Sequence, residues 1–178
     1  ADRVIVYLAQ TASVGLTFDG AAPGAERLFA ESDSDWAVVH SPSGYAIYFG
    51  GAAVFYSSKR QTCIASSSTE AELIAASACA LELVSAIRLR IELGMATGKP
   101  VVLYVDNDGA VELSRDRKSC HRSRHVDRRY FKVRELVAEG LIRVERIDTA
   151  DNSSDVLTKA LEPVVHWKHC RRLLNMLM

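Results

Sequence analysis

Residues Val101 to Val105 read VVLYV and run without a polar break into Asp106. Pro100 opens the run, and the helix-forming segment DGAVELSRD follows it. A short, uninterrupted apolar run with such borders is the pattern of a strand covered on both faces. A strand of that kind lies in the interior of a sheet, and the elements around it decide what covers its faces. The run also ends on a carboxylate. A charge at the lip of a buried strand is costly unless something pairs with it, so the position of Asp106 needs a partner.

The rest of the chain supplies the remaining layers. Asp2 caps a short amphipathic helix, DRVIVYLAQT, and GLTFDGAAPG reads as a short strand and a turn. ERLFAESDSDWAVV alternates as a strand does, with Ser32, Ser34 and Trp36 on one face and Asp33 and Asp35 on the other. Two further strands flank the Gly50-Gly51 pair, a hairpin signal. At Ser66 the period changes to that of a long helix, with Leu73, Ala76, Ala80, Val84, Ile87 and Ile91 as its apolar stripe and Gly94 as its stop. After VVLYV and its helix come an amphipathic helix, VDRRYFKVRELVAEG, and an alternating strand, LIRVERIDT. DNSSDVLTKAL then begins a helix capped by Asn152 or Ser153, and Val164 to Met178 forms a last amphipathic helix. The order predicts a mixed five-stranded sheet, three antiparallel strands then parallel ones, with helices on both faces.

A length of 178 residues fits one domain. Residues 1 to about 25 are its least integrated part. No apolar run approaches the roughly 20 residues of a membrane span, and no signal peptide is visible at the start. The first residue is Ala, which suggests a piece of a longer chain. Cys63, Cys79, Cys120 and Cys170 match no zinc spacing and read as free thiols of a reducing compartment. The net charge is zero, yet nine Lys or Arg and only two acids lie between Arg115 and Arg134, with His121 and His125 among them. Such a stretch makes an electropositive patch on a neutral protein.

Acidic residues stand at every joint that faces one end of the expected sheet: Asp33 and Asp35, Glu70 and Glu72, Asp106, Asp151 and Asp155. Carboxylates converging there repel one another and raise their own pKa values, a conflict that a divalent cation resolves. Oxygen ligands without a His-Cys cluster point to Mg²⁺ rather than zinc. Structural roles compete. Glu70 follows Ser67 by three residues and Glu72 follows Thr69 by three, so each fits a capping box, but one helix takes one cap and at least one Glu is spare. Asp155 near a helix start also complements the macrodipole.

Five segments, ESDSDWA, SPSGYAIYFGGAAVFYSSKRQTCIASSSTEAEL, LYVDND, SRHVDRRYFKVRELVAEGLI and DNSSDVLTKAL, occur in that order. With them the chain resembles the ribonuclease H domain of copia-type LTR-retrotransposon reverse transcriptases over residues 27–178. Residues 1–26 resemble the segment that connects it to the polymerase. The resemblance implies a ribonuclease H-like fold and a metal-dependent endoribonuclease that cuts the RNA strand of RNA/DNA hybrids during reverse transcription. A catalytically weak domain that binds nucleic acid or supports the polymerase is the competing reading, and another metal-dependent nuclease of the same fold is a third. By position the resemblance implies Asp33, Glu72, Asp106 and Asp155 as catalytic and metal-binding residues, with Ser34 in place of the usual Ala and with Glu72 rather than Glu70. It implies two Mg²⁺ ions, with Mn²⁺ as a substitute. Ser68, Thr69, Asn107, Arg122, Arg124, His125 and Arg128 are the implied nucleic-acid contacts. Arg124 stands where Lys is usual before the His, and Phe55-Tyr56 where a Trp is usual. The implied partners are the hybrid and the polymerase domain of a parent polyprotein. The implied setting is intracellular, a cytoplasmic virus-like particle, with no membrane and a monomeric isolated domain.

Overall fold

Gly50 and Gly51 take φ values of 66° and 87°, the pair of left-handed conformations that a type I′ hairpin turn requires. They join strands Pro42–Phe49 (β2) and Ala52–Arg60 (β3). The computed structural model describes residues 2–21, 24, 27–95, 98–115 and 132–176. Strand Phe29–Ser34 (β1) precedes the hairpin, and helix Asp2–Gln10 (α1) precedes β1. Helix Ser68–Glu92 (α2), strand Val101–Val105 (β4) and helix Asp108–Arg115 (α3) follow. Residues 132–138 are helical (α4) and lead to strand Ile142–Arg146 (β5). Two short 3-10 segments, Thr149–Asp151 and Ser153–Leu157, and helix Pro163–Leu174 (α5) complete the described chain.

The sheet order is β3-β2-β1-β4-β5. β1 pairs antiparallel with β2, and β2 with β3, whereas β1 with β4 and β4 with β5 are parallel. This is the expected mixed sheet. One face carries Ala30, Tyr45, Ile47, Leu103 and Val105 and packs with Leu73, Ala76, Ala80 and Leu83 of α2 and with Val133 and Leu136 of α4. Ala71, Ala75, Ala76, Cys79 and Ala80 are all buried in α2, and their small side chains let the helix lie close to the strands. The other face holds Ala46, Tyr48 and Ala53 under Phe29, Leu157 and Leu173. No described helix is long and apolar enough to cross a membrane.

Three details differ from the sequence reading. Residues 14–19 form no strand; Thr17 and Asp19 make single backbone bonds to Leu174 and Gly50 instead of a ladder. Ile91 is exposed, because a 25-residue helix, roughly 37 Å long, outruns five-residue strands of roughly 17 Å. Residues 153–157 make a 3-10 turn rather than the start of an α-helix. There Asn152 accepts from Ser154 N, and Ser153 N donates to Glu31, so the backbone donors are spent on side chains.

Candidate active site: three carboxylates at the ends of parallel strands

β1 and β4 are neighbours and run the same way, so Asp33 near the end of one and Asp106 just past the other emerge at the same pole. That is where open α/β sheets form their sites. Asp155 arrives differently. After β5, Ile147 N still donates to Val105 O, and the chain then turns back over the sheet. Asn152 Nδ2 donates to Ser32 O at 3.0 Å, and Ser153 N to Glu31 Oε2 at 3.0 Å. Those bonds lay the 3-10 segment across β1 and β2. Each of Asp33, Asp106 and Asp155 thereby offers a carboxylate oxygen, all within 4.8 Å of one another.

Gly44 makes that crossing possible. It pairs with Asp33 across the β1–β2 ladder. A Cβ on Gly44 would lie 2.7 Å from Leu157 Cβ and 2.8 Å from Thr158 Cγ2, closer than carbon atoms approach. Only a residue without a side chain lets the segment carrying Asp155 sit on the strand opposite Asp33.

Asp33 is fully buried and Asp155 nearly so, while Asp106 is half-buried. Thr158 Oγ1 donates to Asp33 Oδ2, and Lys159 Nζ lies 3.3 Å from Asp33 Oδ1 and 3.0 Å from Asp155 Oδ1. Burial pushes the Asp33 carboxyl above its ordinary range; Thr158 and Lys159 pull it down and Asp155 pushes it up. Asp106 Oδ2 accepts from Thr149 Oγ1 at 2.9 Å, and its carbonyl accepts from Arg146 at 2.7 Å.

Glu72 enters from the first turns of α2. Its Oε1 accepts from Ser34 N at 3.1 Å, and its buried Oε2 has no hydrogen-bond partner. Burial first, then Asp33 and Asp106, push its pKa up to about 9. Glu72 is outside the set of three oxygens and adjoins it electrostatically. Glu70 does the capping: Ser67 Oγ accepts from Glu70 N at 3.1 Å, and Glu70 Oε2 accepts from Ser66 N at 2.7 Å. The two spacings that both fitted a capping box are thus divided, Glu70 to the helix end and Glu72 to the interior.

Among the other expected site residues, Asn107 Oδ1 accepts from Ala110 N at 3.0 Å and from Thr69 Oγ1 at 3.4 Å. Thr69 is half-buried in this contact, and Ser68 is exposed at the helix start. Arg122, Arg124, His125 and Arg128 lie outside the described residues. Sequence reasoning passed over several groups that build the site. Lys159 stands four residues after Asp155, a helical neighbour spacing that signals contact. Glu31 stands two before Asp33 and shares its face by strand periodicity. It is fully buried, takes Arg172, Tyr48 and Ser153 as partners, and so binds α5 and the 3-10 segment to β1. Nothing in the sequence connects Arg172 to Glu31.

The donor set suits a hard divalent cation. All candidate ligands are carboxylate oxygens, they converge in a buried setting, and an unpartnered Glu72 oxygen is sealed beside them. The Lys159 ammonium meets part of that demand for positive charge from within the chain.

Such a sheet with such a site is the ribonuclease H fold. The N-terminal RNase H domain of a Mycobacterium tuberculosis protein, solved as a fusion with maltose-binding protein, matches with a TM-score of 0.52 at 17% identity, over 74% of this chain and 90% of that one. RNase H1 from Halobacterium salinarum matches at 0.51 and 19%, over 74% and 94%. LC11-RNase H1, solved in complex with an RNA/DNA hybrid, matches at 0.50 and 14%, over 74% and 94%. No family model matches the chain. By sequence its homologues are retrovirus-related Pol polyproteins of plant transposons. It is 35% identical over 177 residues to that of transposon TNT 1-94 from Nicotiana tabacum, covering 97% of this chain and 13% of that protein. It is 34% identical over 175 residues to that of transposon RE2 from Arabidopsis thaliana, covering 96% and 12%. The chain therefore spans about an eighth of the length of these relatives.

Proposed function

We propose that this chain is a metal-dependent endoribonuclease that hydrolyses the RNA strand of RNA/DNA hybrids. It would act beside the polymerase domain of a Pol polyprotein, inside the cell, during reverse transcription. The observation that carries the reading is the convergence of Asp33, Asp106 and Asp155 oxygens within 4.8 Å at the strand ends of a ribonuclease H fold. The hybrid held by LC11-RNase H1 supports the choice of substrate.

Asp33, Asp106, Asp155 and Glu72 would hold two Mg²⁺ ions, with Mn²⁺ as a substitute. Such a pair supplies an activated water, neutralises charge at phosphorus and stabilises the departing oxygen. The chain's own groups prepare the site. Thr158 and Lys159 fix the Asp33 carboxylate, and Thr149 fixes that of Asp106, so neither has to be reoriented when substrate arrives. Glu72 holds its proton at neutral pH until positive charge approaches, which limits repulsion among the four acids. Ser68 and Thr69, at the start of α2 beside Asn107, carry hydroxyls suited to the RNA 2′-hydroxyl.

The test is cleavage of a hybrid, a DNA duplex and an RNA duplex in parallel, with and without chelator. Hybrid cleavage in Mg²⁺ alone, and none of either duplex, is expected. Asp106→Asn keeps the shape and removes a ligand charge, so it should lower the rate roughly 100-fold or more while circular dichroism is unchanged. Wild-type turnover by that variant would refute the site.

A further inference from the structure

The pole of the sheet opposite the carboxylates is a cationic cavity of about 650 Å³. Arg27 reaches it from the approach to β1, Arg90 from the end of α2, Lys99 from the approach to β4 and Arg143 from β5. Leu28 and Pro100 contribute to its apolar floor, and among the described residues none that lines it is acidic. Arg143 pairs with Glu145 at 3.1 Å, and the Arg90 guanidinium carbon lies 5.8 Å from the centre of the Phe49 ring. Beside the cavity opens an indentation of about 240 Å³ that shares Arg90 and Lys99 and is otherwise faced mainly by Ile87, Ile91 and Leu141.

Four cations from four separate segments are gathered into one concave wall, although the chain as a whole is neutral. Like charges so placed repel, and concave walls of low dielectric focus their field on whatever enters. Arginine forks match phosphate oxygens in pairs, and lysine adds a point charge. The adjoining apolar recess suits a flat ring. The cavity volume falls within the roughly 300–1,000 Å³ usual for small-ligand sites. About 15 Å of β4 separates it from Asp106, so it is no part of the carboxylate site.

We propose that this cavity binds a nucleoside phosphate, with the phosphates against Arg27, Lys99 and Arg143 and the base in the recess shared by Arg90. A free nucleotide and the phosphorylated end of a single strand present the same chemistry. The proposal stands apart from the nuclease reading. Calorimetry on the full chain in EDTA, which keeps cations from bridging phosphate to the acids, would use ATP, adenosine, inorganic triphosphate and a short 5′-phosphorylated oligodeoxynucleotide. Saturable single-site binding of ATP or the oligonucleotide is expected, and the tighter of the two identifies the source. Adenosine should not bind, and triphosphate should bind more weakly. The double variant R27E/K99E, at two exposed positions, and separately Arg143→Gln, should each weaken binding about tenfold or more, and Asp106→Asn should leave it unchanged. No saturable binding at millimolar ligand, equal affinity for triphosphate and ATP, or unaltered affinity in both cationic variants that retain the wild-type melting temperature would overturn the assignment.

Discussion

Glu72 carries its acid with a pKa near 9, far above the ordinary 4.5, because it is buried beside Asp33 and Asp106. The folded state therefore holds a proton that the unfolded state releases at lower pH. Between about pH 4.5 and 9 this group makes the cation-free protein progressively less stable as pH rises, and the loss levels off above 9. Glu72→Gln removes that slope. In chelator, its melting temperature should match wild type near pH 4.5 and exceed it at pH 8; a scan at the two pH values checks this. Asp106 was legible in the sequence because an apolar strand leads straight to it; alternation put Asp33 and Asp35 on one face, and only the family resemblance chose Asp33 between them. Glu72 could not be separated from Glu70 by spacing alone, since the decision rests on which side chain the first turn of α2 directs inward. Lys159 carried a readable signal, four residues from Asp155, but its contact with Asp33 depends on tertiary folding.

At the scale of elements, the 3-10 segment and α5 act as a clamp on β1. Arg172 of α5 reaches the buried Glu31 carboxylate, which also takes Ser153 N and Oγ and Tyr48. Arg172→Ala would leave a buried charge without its cation, at a cost of roughly 2–4 kcal/mol. Lys168→Ala loses only exposed contacts, to the Asp151 carboxylate and the Ala150 carbonyl, and should shift stability far less. Urea midpoints would show the contrast, and only the first variant should also slow hybrid cleavage, by loosening the segment that carries Asp155. The sequence announced strands, hairpin and long helix through periodicity and the Gly50-Gly51 pair. It misled at residues 153–157, where side chains from β1 compete for the backbone donors that an α-helix would use. Sequence periodicity carries no record of that competition.

At the scale of the whole molecule, among the described residues, the two ends of the sheet differ in charge: Asp33, Asp106 and Asp155 gather at one pole with Lys159 among them, and Arg27, Arg90, Lys99 and Arg143 gather at the other. Burial first, and then neighbouring carboxylates, raise the Asp33 and Glu72 acids, so a cation entering the acidic pole would find a favourable partner. Mg²⁺ at millimolar concentration should accordingly raise the melting temperature, by about 2.7 kcal/mol of added stability at a hundred times the dissociation constant. Calorimetric scans with Mg²⁺ and with EDTA would measure it, and Asp106→Asn should show a smaller gain.

The missing side chain at Gly44 governs how these parts meet. Gly44→Ala adds a single methyl group where Leu157 and Thr158 already stand. The strands would still pair, since the new atom alters no backbone bond, but the returning segment would be lifted and Asp155 drawn out of range of its two companions. The expected product is a folded, soluble and inert protein, with normal circular dichroism and no hybrid cleavage. The proposed activity would then depend on clearance as much as on any functional group: the site is set like a type-case, by the spacer as well as by the letters.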